Sequence, residues 1–377
     1  MINIPLKNSV NKNHIKRHYS ALTVDVEEWF HILNSENVPS IEKWSSLQSR
    51  IESNLDKLLT LFDSLSVKVT FFWLGWVAER HKSLVLKCHK AGHEIASHGY
   101  SHVLVYKVGQ KDFKQDITKA KEILEDITGE QVKGFRAAGF SLTREIPWAF
   151  DIIYESGYQY DSSVFPALRA HGGMPESPLG PYFIETKNGH LLEFPMSIVS
   201  ILGRKISLFG GGYLRLPNKR MIRWGISKLQ SSEQPLIIYI HPREIDPNHP
   251  RLQLPFIRRF KSYINLKSTL PKLKWLCQNF CFCTMLKLSE NYIRSFYLES
   301  KTILVVKFRD SRASVEKAPI CEVQRHTENS SAFTENRIPL LEKAIANFWS
   351  PDVFQSQKTI HNNGQLYICP EHKYIYI

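Results

Sequence analysis

No stretch of this sequence reaches the roughly 18 consecutive apolar residues that a membrane-spanning helix requires, so no span is expected. The first twenty residues, MINIPLKNSVNKNHIKRHYS, are polar and basic and hold no apolar h-region. No secretory leader is expected there, and the chain reads as soluble and cytoplasmic. Internal repeats are absent. Cysteine is scarce. Cys277, Cys281 and Cys283 lie in the apolar run WLCQNFCFCTML, and their gaps do not form the paired ligands of a structural zinc site. They read as free thiols packed as small hydrophobes, which fits a reducing compartment. Acidic charge is also short: 36 Asp and Glu face 49 Lys and Arg, a net charge of +13. Such a surface attracts phosphates, nucleic acid or an anionic membrane. The cations are spread out, and neither zinc-finger spacing nor an RNA-recognition motif accompanies them, so no nucleic-acid partner is expected. Peripheral contact with the inner face of a membrane stays open. The oligomeric state is not legible.

What is present is an ordinary globular composition, 43% hydrophobic and 23% charged, in a chain long enough to build a core without disulfides. Residues 1–19 read as a flexible arm. ALTVDVE (21–27) is an apolar, β-branched run ending in acids, which predicts a buried strand with carboxylates at its C-terminal end. A helical pattern covers 41–65, a strand 67–75, a short helix 83–92, and a strand and loop 93–102. A helix follows over 112–129, a strand with its exit loop over 132–141, and a helix from Pro147 to Gly157. Strands at 190–199 and 235–242 flank a helix at 216–230. Such alternation predicts a parallel sheet covered on both faces, here an α/β fold closed as a distorted (β/α) barrel. The catalytic unit is expected over 20–289. Residues 290–377 read as an extension of unknown role, with a strand near YLESKTILVVKF, a linker-like 326–336, a helix at LLEKAIANFW and a strand at QLYICPEHKYIYI.

Three constellations carry chemistry. His98 and His102 are four apart in HGYSH, and a turn between them lets both imidazoles meet one ion. Spacing alone does not separate this from a surface histidine cluster. In Asp25-Val26-Glu27-Glu28, strand alternation points Asp25 and Glu27 to one side. Two such carboxylates can divide the roles of metal ligand and general base, against the alternative of a solvated acidic loop. His241 ends the apolar strand IIYIHP and is either a core histidine or a group aimed into the cleft.

Together these segments resemble the polysaccharide deacetylase family, also called the NodB-homology or carbohydrate esterase family 4 group. Over roughly residues 20–285, five motifs stand in the family's order. TVDVEEWFH, GFRAAGFS, GYQYDSS and YIHPREID are similar to the branch found with exosortase-linked exopolysaccharide loci. The resemblance implies Asp25 as catalytic base, with His98 and His102 as metal ligands. Val26 stands where the family's metal-binding Asp is common, which shifts the third ligand to Glu27, with Glu28 as the other choice. Arg136 matches the Arg that orients the base, although RAAG lacks the usual Pro. Asp161 resembles the acid that polarises the catalytic histidine, and His241 matches the general acid.

The implied reaction is hydrolysis of N-acetyl groups on an amino-sugar glycan with a divalent metal, Zn2+ first. Rival readings are a cyclic-amide amidohydrolase on the same fold and a catalytically impaired glycan binder. Trp29, Phe30, Trp73 and Trp76 are candidates for stacking on sugar rings, but core packing is the preferred reading.

Overall fold

A computed structural model of the chain describes residues 20–33, 38–169, 172–299, 303–308 and 321–326. The expected N-terminal arm, most of the linker-like stretch, and the expected helix and strand after it lie outside the described residues.

The apolar runs that announced strands form the parallel part of one ten-stranded sheet. These are β1 (Ser20–Val26), β2 (Thr70–Trp73), β3 (Glu94–Ser97), β4 (Gly134–Phe135) and β5 (Tyr160–Asp161). The remaining strands are β6 (Tyr182–Thr186), β7 (Gly189–Glu193), β8 (Ile198–Ile201), β9 (Arg204–Ser207), β10 (Leu236–Ile240), β11 (Ile303–Phe308) and β12 (Cys321–His326). The order is β10-β1-β2-β3-β4-β5-β7-β6-β11-β12, with β8 and β9 paired apart. Pairing is parallel from β10 through to β7 and between β6 and β11; β6–β7 and β11–β12 are antiparallel. Among the described residues no ladder joins β10 to β12, so the barrel is distorted and left open.

Strand alternation sorts the core into two layers. Leu22, Val24, Val26, Phe71, Trp73 and Ile238 join the large cluster packed under the helices. Ala21, Phe72, Ala96, Tyr160, Ile237 and Tyr239 fill the opposite, inner face. The polar residues of β1 share the parity of the inner layer: Thr23 and Asp25 follow Ala21, just as His241 follows Ile237 and Tyr239.

Two sequence expectations change in detail. The 41–65 pattern is helical only over Ile41–Trp44 and Ile51–Ser64. Between them the chain turns so that the Arg50 N–H and the Ser49 hydroxyl reach the buried carboxylate of Glu28. The 190–199 run splits into β7 and β8 around Pro195, which has no N–H for a ladder. Past residue 285 the chain stays with the fold. Helix Met285–Glu299 packs Met285 and Leu288 into the inner layer, and β11 extends the sheet beside β6 with Val306 fully buried.

Candidate metal centre

Four segments leave the same end of the sheet and converge. Directly after β1 the chain turns, with the Glu27 N–H donating to the Asp25 carbonyl at 3.0 Å. This turn brings Glu27 to the side already occupied by Asp25. After β3, Gly99 adopts φ 75° and His102 φ 55°. The positive φ is ordinary for glycine and strained for histidine. The loop is clamped by Asp116, on helix Gln110–Thr128, which accepts from the N–H groups of Tyr100 and Ser101 at 2.8 and 2.9 Å. A Cβ at residue 99 would lie 2.7 Å from an Asp116 oxygen, so glycine lets the clamp close.

The clamp folds His98 and His102 toward Glu27. Their Nε2 atoms lie 3.1 and 2.9 Å from Glu27 Oε1, and all three residues are buried. Among the described residues this is the one His, Cys, Asp and Glu grouping whose ligand atoms lie close enough to share a metal ion, all within 4.8 Å of one another. Glu28 points elsewhere, to Ser49 and Arg50, and burial raises its carboxyl.

The donor set fits a divalent cation. His98 Nδ1 lies 2.7 Å from the Arg136 carbonyl. That carbonyl can only accept, so Nδ1 carries the proton and a neutral ring presents the Nε2 lone pair to the carboxylate. Two imidazole nitrogens and a carboxylate oxygen crowded together in a buried site repel unless a cation or protons lie between them. Two histidines and one carboxylate also form a familiar zinc set with an open position. Without a metal, protons fill this role. Burial pulls His98 down, but Glu27 and Asp25 outweigh it and hold the ring above its usual value. Burial, helped by the charges of His98 and Arg243, leaves His102 lowered despite Glu27. Burial pushes Glu27 up, yet His102 and His241 hold it well below the usual carboxylate range.

Asp25 and Arg136 form a buried pair beside this group. Arg136 Nη1 donates to Asp25 Oδ1 at 2.6 Å and to Thr23 Oγ1 at 2.7 Å. Its Nε and Nη2 donate to the Ser162 carbonyl and hydroxyl, both at 3.1 Å, and the guanidinium lies over the Phe72 ring at 4.0 Å. One Asp25 oxygen is thus fixed. The other, Oδ2, lies 4.0 Å from His241 Nε2, which is also 3.6 Å from Glu27 Oε1.

The group that holds His241 is not Asp161. Tyr160 and Ser162 face the inner layer, so the residue between them points the other way. Asp161 Oδ1 accepts from Ser163 Oγ at 2.5 Å, and Ser163 Oγ accepts the Ala137 N–H at 2.7 Å. These bonds tie down the RAAG loop at Ala137. Beside Asp161 lies Glu193, which burial and the Asp161 charge push well above the usual carboxyl range, so Glu193 holds the pair's proton. The carboxylate on His241 is Glu244, with Oε1 2.5 Å from Nδ1. Glu244 is the third residue of the short helix Pro242–Ile245 and accepts from the His241 N–H as well. Sequence reasoning passed over it, although H-P-R-E has the spacing of a capping box. Arg215 Nε lies 3.5 Å from the other Glu244 oxygen, and Arg243 Nη1 lies 3.6 Å from Glu27 Oε2. The four aromatic candidates, Trp29, Phe30, Trp73 and Trp76, are all buried.

Comparison with known proteins matches two stretches of the chain. Residues 44–160 match the family model described as polysaccharide deacetylase, and residues 162–290 match a domain of unknown function, DUF3473. Asp25 and Glu27 precede the first match, and His241 falls in the second. A peptidoglycan-N-acetylglucosamine deacetylase of Bacillus cereus is 35% identical over 94 residues, 25% of this chain and 34% of that protein. A peptidoglycan deacetylase of Helicobacter pylori is 26% identical over 113 residues, 30% of this chain and 38% of that protein. The chain thus spans little more than a third of either relative. A crystal structure from Mycobacterium smegmatis, provisionally assigned as a polysaccharide deacetylase, superposes with a TM-score of 0.49 at 17% identity, covering 73% of this chain and 91% of that one. An allantoinase structure gives 0.48 at 17% identity, covering 74% and 90%. By its sequence match, the segment 44–160 of this chain is similar to the polysaccharide deacetylase family.

Proposed function

We propose that the protein hydrolyses N-acetyl groups from an amino-sugar glycan, and that the glycan is an exopolysaccharide or its precursor. The observation that carries the reading is the convergence of Glu27, His98 and His102 between two oriented groups, Asp25 with Arg136 and His241 with Glu244. Glu27, His98 and His102 would hold a divalent ion, zinc by their chemistry, which supplies Lewis acidity to an acetamide carbonyl and to water.

The rest of the work falls to the chain's own residues. Asp25, its Oδ1 held by Arg136, turns Oδ2 to the centre and accepts the proton of the attacking water. Glu244 fixes the Nδ1–H of His241, so Nε2 faces the same space and delivers a proton to the departing amine. Ala137 and Phe140 spend their N–H groups on Ser163 and on the turn itself. The next two N–H groups of the same loop, those of Ala138 and Gly139, are the ones assigned to the oxyanion. Acetate and a free amine are the products. Residues 20–289 supply every one of these groups.

The test is acetate release from a panel of N-acetylhexosamine oligomers, with and without a chelator. Activity should vanish on chelation and return with zinc. Asp25→Asn and His98→Ala should each abolish it, a loss of at least about a thousandfold, with the melting curve retained. Full turnover by the chelated enzyme or by either variant would sink the mechanism. Turnover of a cyclic amide in place of the glycans would move the substrate to that class.

A further inference from the structure

Charge is divided unevenly along the chain. Residues 194–232 contain seven Lys or Arg and no Asp or Glu, and residues 247–289 contain eight and none. The large hydrophobic side chains left in solvent are concentrated in the same two stretches. Phe256, Ile257 and Phe260 are 84%, 69% and 50% exposed, and Tyr213 and Leu216 are 41% and 58%.

Phe256, Ile257 and Phe260 lie on helix Phe256–Tyr263, where the spacing i, i+1, i+4 puts them on one arc with Lys261 at its margin. Arg259 and Lys261 are exposed beside them, whereas Arg258 turns inward to the Leu33 carbonyl and Tyr263 is buried. The helix is therefore held through Arg258 and at its C-terminal end by Tyr263, and it presents a mixed apolar and cationic face for which no contact partner is recorded among the described residues.

Its mounting connects it to the candidate site. Arg215, buried at the end of the short helix Gly211–Arg215, donates to the carbonyls of Lys261 and Ser262 at 2.7 and 2.9 Å. The same guanidinium lies against Glu244, which holds His241. Leu33, capped by Arg258, closes the segment that begins at Glu27. The end of the helix is thus tied through Arg215 to the residue that holds His241, and Gly212, beside Tyr213 in the chain, packs on the Lys261 carbonyl.

We propose that this face docks on an anionic lipid bilayer. Phosphate-rich polymers would satisfy the cations but give nothing to Ile257, Phe256 and Leu216. A headgroup region accepts cations, and the acyl boundary beneath it accepts apolar side chains. The docking does not depend on the chemistry assigned to the site. On the proposed function, it holds the opening against a lipid-borne glycan.

The experiment uses the full chain and sedimentation with vesicles of phosphatidylcholine alone or mixed equally with phosphatidylglycerol. Binding is expected to the mixed vesicles only, and to weaken with salt. The triple variant Phe256→Ser, Ile257→Ser, Phe260→Ser should lose at least about tenfold in partitioning while keeping every cation. Arg259→Gln with Lys261→Gln should lose roughly fivefold per charge removed. Circular dichroism confirms folding, which substitutions at exposed positions should leave unchanged. A wild-type protein that stays in the supernatant with mixed vesicles overturns the proposal. So does a triple variant that binds them as well as wild type, since the cations alone would then suffice. Binding to single-stranded DNA or a soluble polyanion without vesicle binding overturns it too and assigns the patch to that partner. Because sedimentation requires no turnover, an inactive enzyme that still binds vesicles separates this proposal from the functional one.

Discussion

Glu244 sits 2.5 Å from the ring nitrogen of His241 that faces away from the centre, and on the proposed function its charge and position act only through that ring. Glu244→Gln keeps an acceptor on Nδ1 and removes the charge that supports an imidazolium. Turnover should fall by roughly 10²–10⁴-fold through kcat, with KM and zinc content close to wild type. Asp161→Asn, which touches Ser163 rather than His241, should affect kcat less than Glu244→Gln does; the reverse order would return the orienting role to Asp161. Glu193 makes a second, thermodynamic prediction. Its raised carboxyl keeps a proton that the unfolded chain releases, so the native state binds more protons between the two values. Stability from this group is complete below the unfolded value and is lost as pH rises through the folded one. Glu193→Gln removes the titration while keeping a hydrogen-bonding partner for Asp161. Its melting temperature should decline less steeply toward alkaline pH than that of wild type, as read by thermal scans across that range; an unchanged slope rejects the assignment. At this scale motif order and strand parity, which act locally, make legible the residues that the fold brings together: Asp25, Glu27, His98, His102, Arg136 and His241. Asp161 is brought to Ser163 and not to His241, because Tyr160 and Ser162 take the inner side of its strand.

Elements were legible where a single face is apolar. Helix Gln110–Thr128 ends at Gly129 in the left-handed conformation, as its pattern and closing glycine predict. Boundaries set by distant partners were not. The break between Trp44 and Ile51 exists because Glu28, from another segment, needs donors, and no periodicity in 41–65 records that need. The HGYSH loop shows the same dependence, since its shape comes from Asp116 on the helix that follows. Asp116→Ala would release the N–H groups of Tyr100 and Ser101 and let the strained His102 relax. Zinc affinity should drop by about tenfold or more, in the range found when groups supporting metal ligands are removed. The helix itself should persist. Competition with a chromogenic chelator measures the first effect and circular dichroism the second. Wild-type affinity in this variant would mean that the loop holds its shape without the clamp.

For the whole molecule, the question is how far the cooperative unit extends beyond the expected edge at residue 289. Helix Met285–Glu299 crosses that position, and its first turn is held by Thr70 and Glu94, which accept the N–H groups of Met285 and Leu286 at 2.7 and 2.9 Å. Further on, β11 covers the open edge of β6, buries Val305 and Val306, and stacks Phe308 on Phe150 with ring centroids 5.4 Å apart. None of these residues touches the candidate centre, which lies at the other side of the sheet order, between β10 and β5. Ending the chain after residue 299 would therefore leave the chemistry in place and uncover a hydrophobic strand edge, a template for aggregation. The shortened protein should retain kcat while it remains folded. It should lose on the order of 3 kcal/mol or more from the burial of Val305, Val306 and Phe308, and it should aggregate at lower temperature. Denaturant unfolding and light scattering on the two lengths, beside acetate release, separate these effects. A shortened chain of unchanged stability would show that β11 is an attachment to the sheet and not part of the cooperative unit. Loss of kcat with stability retained would instead tie the C-terminal extension to the reaction.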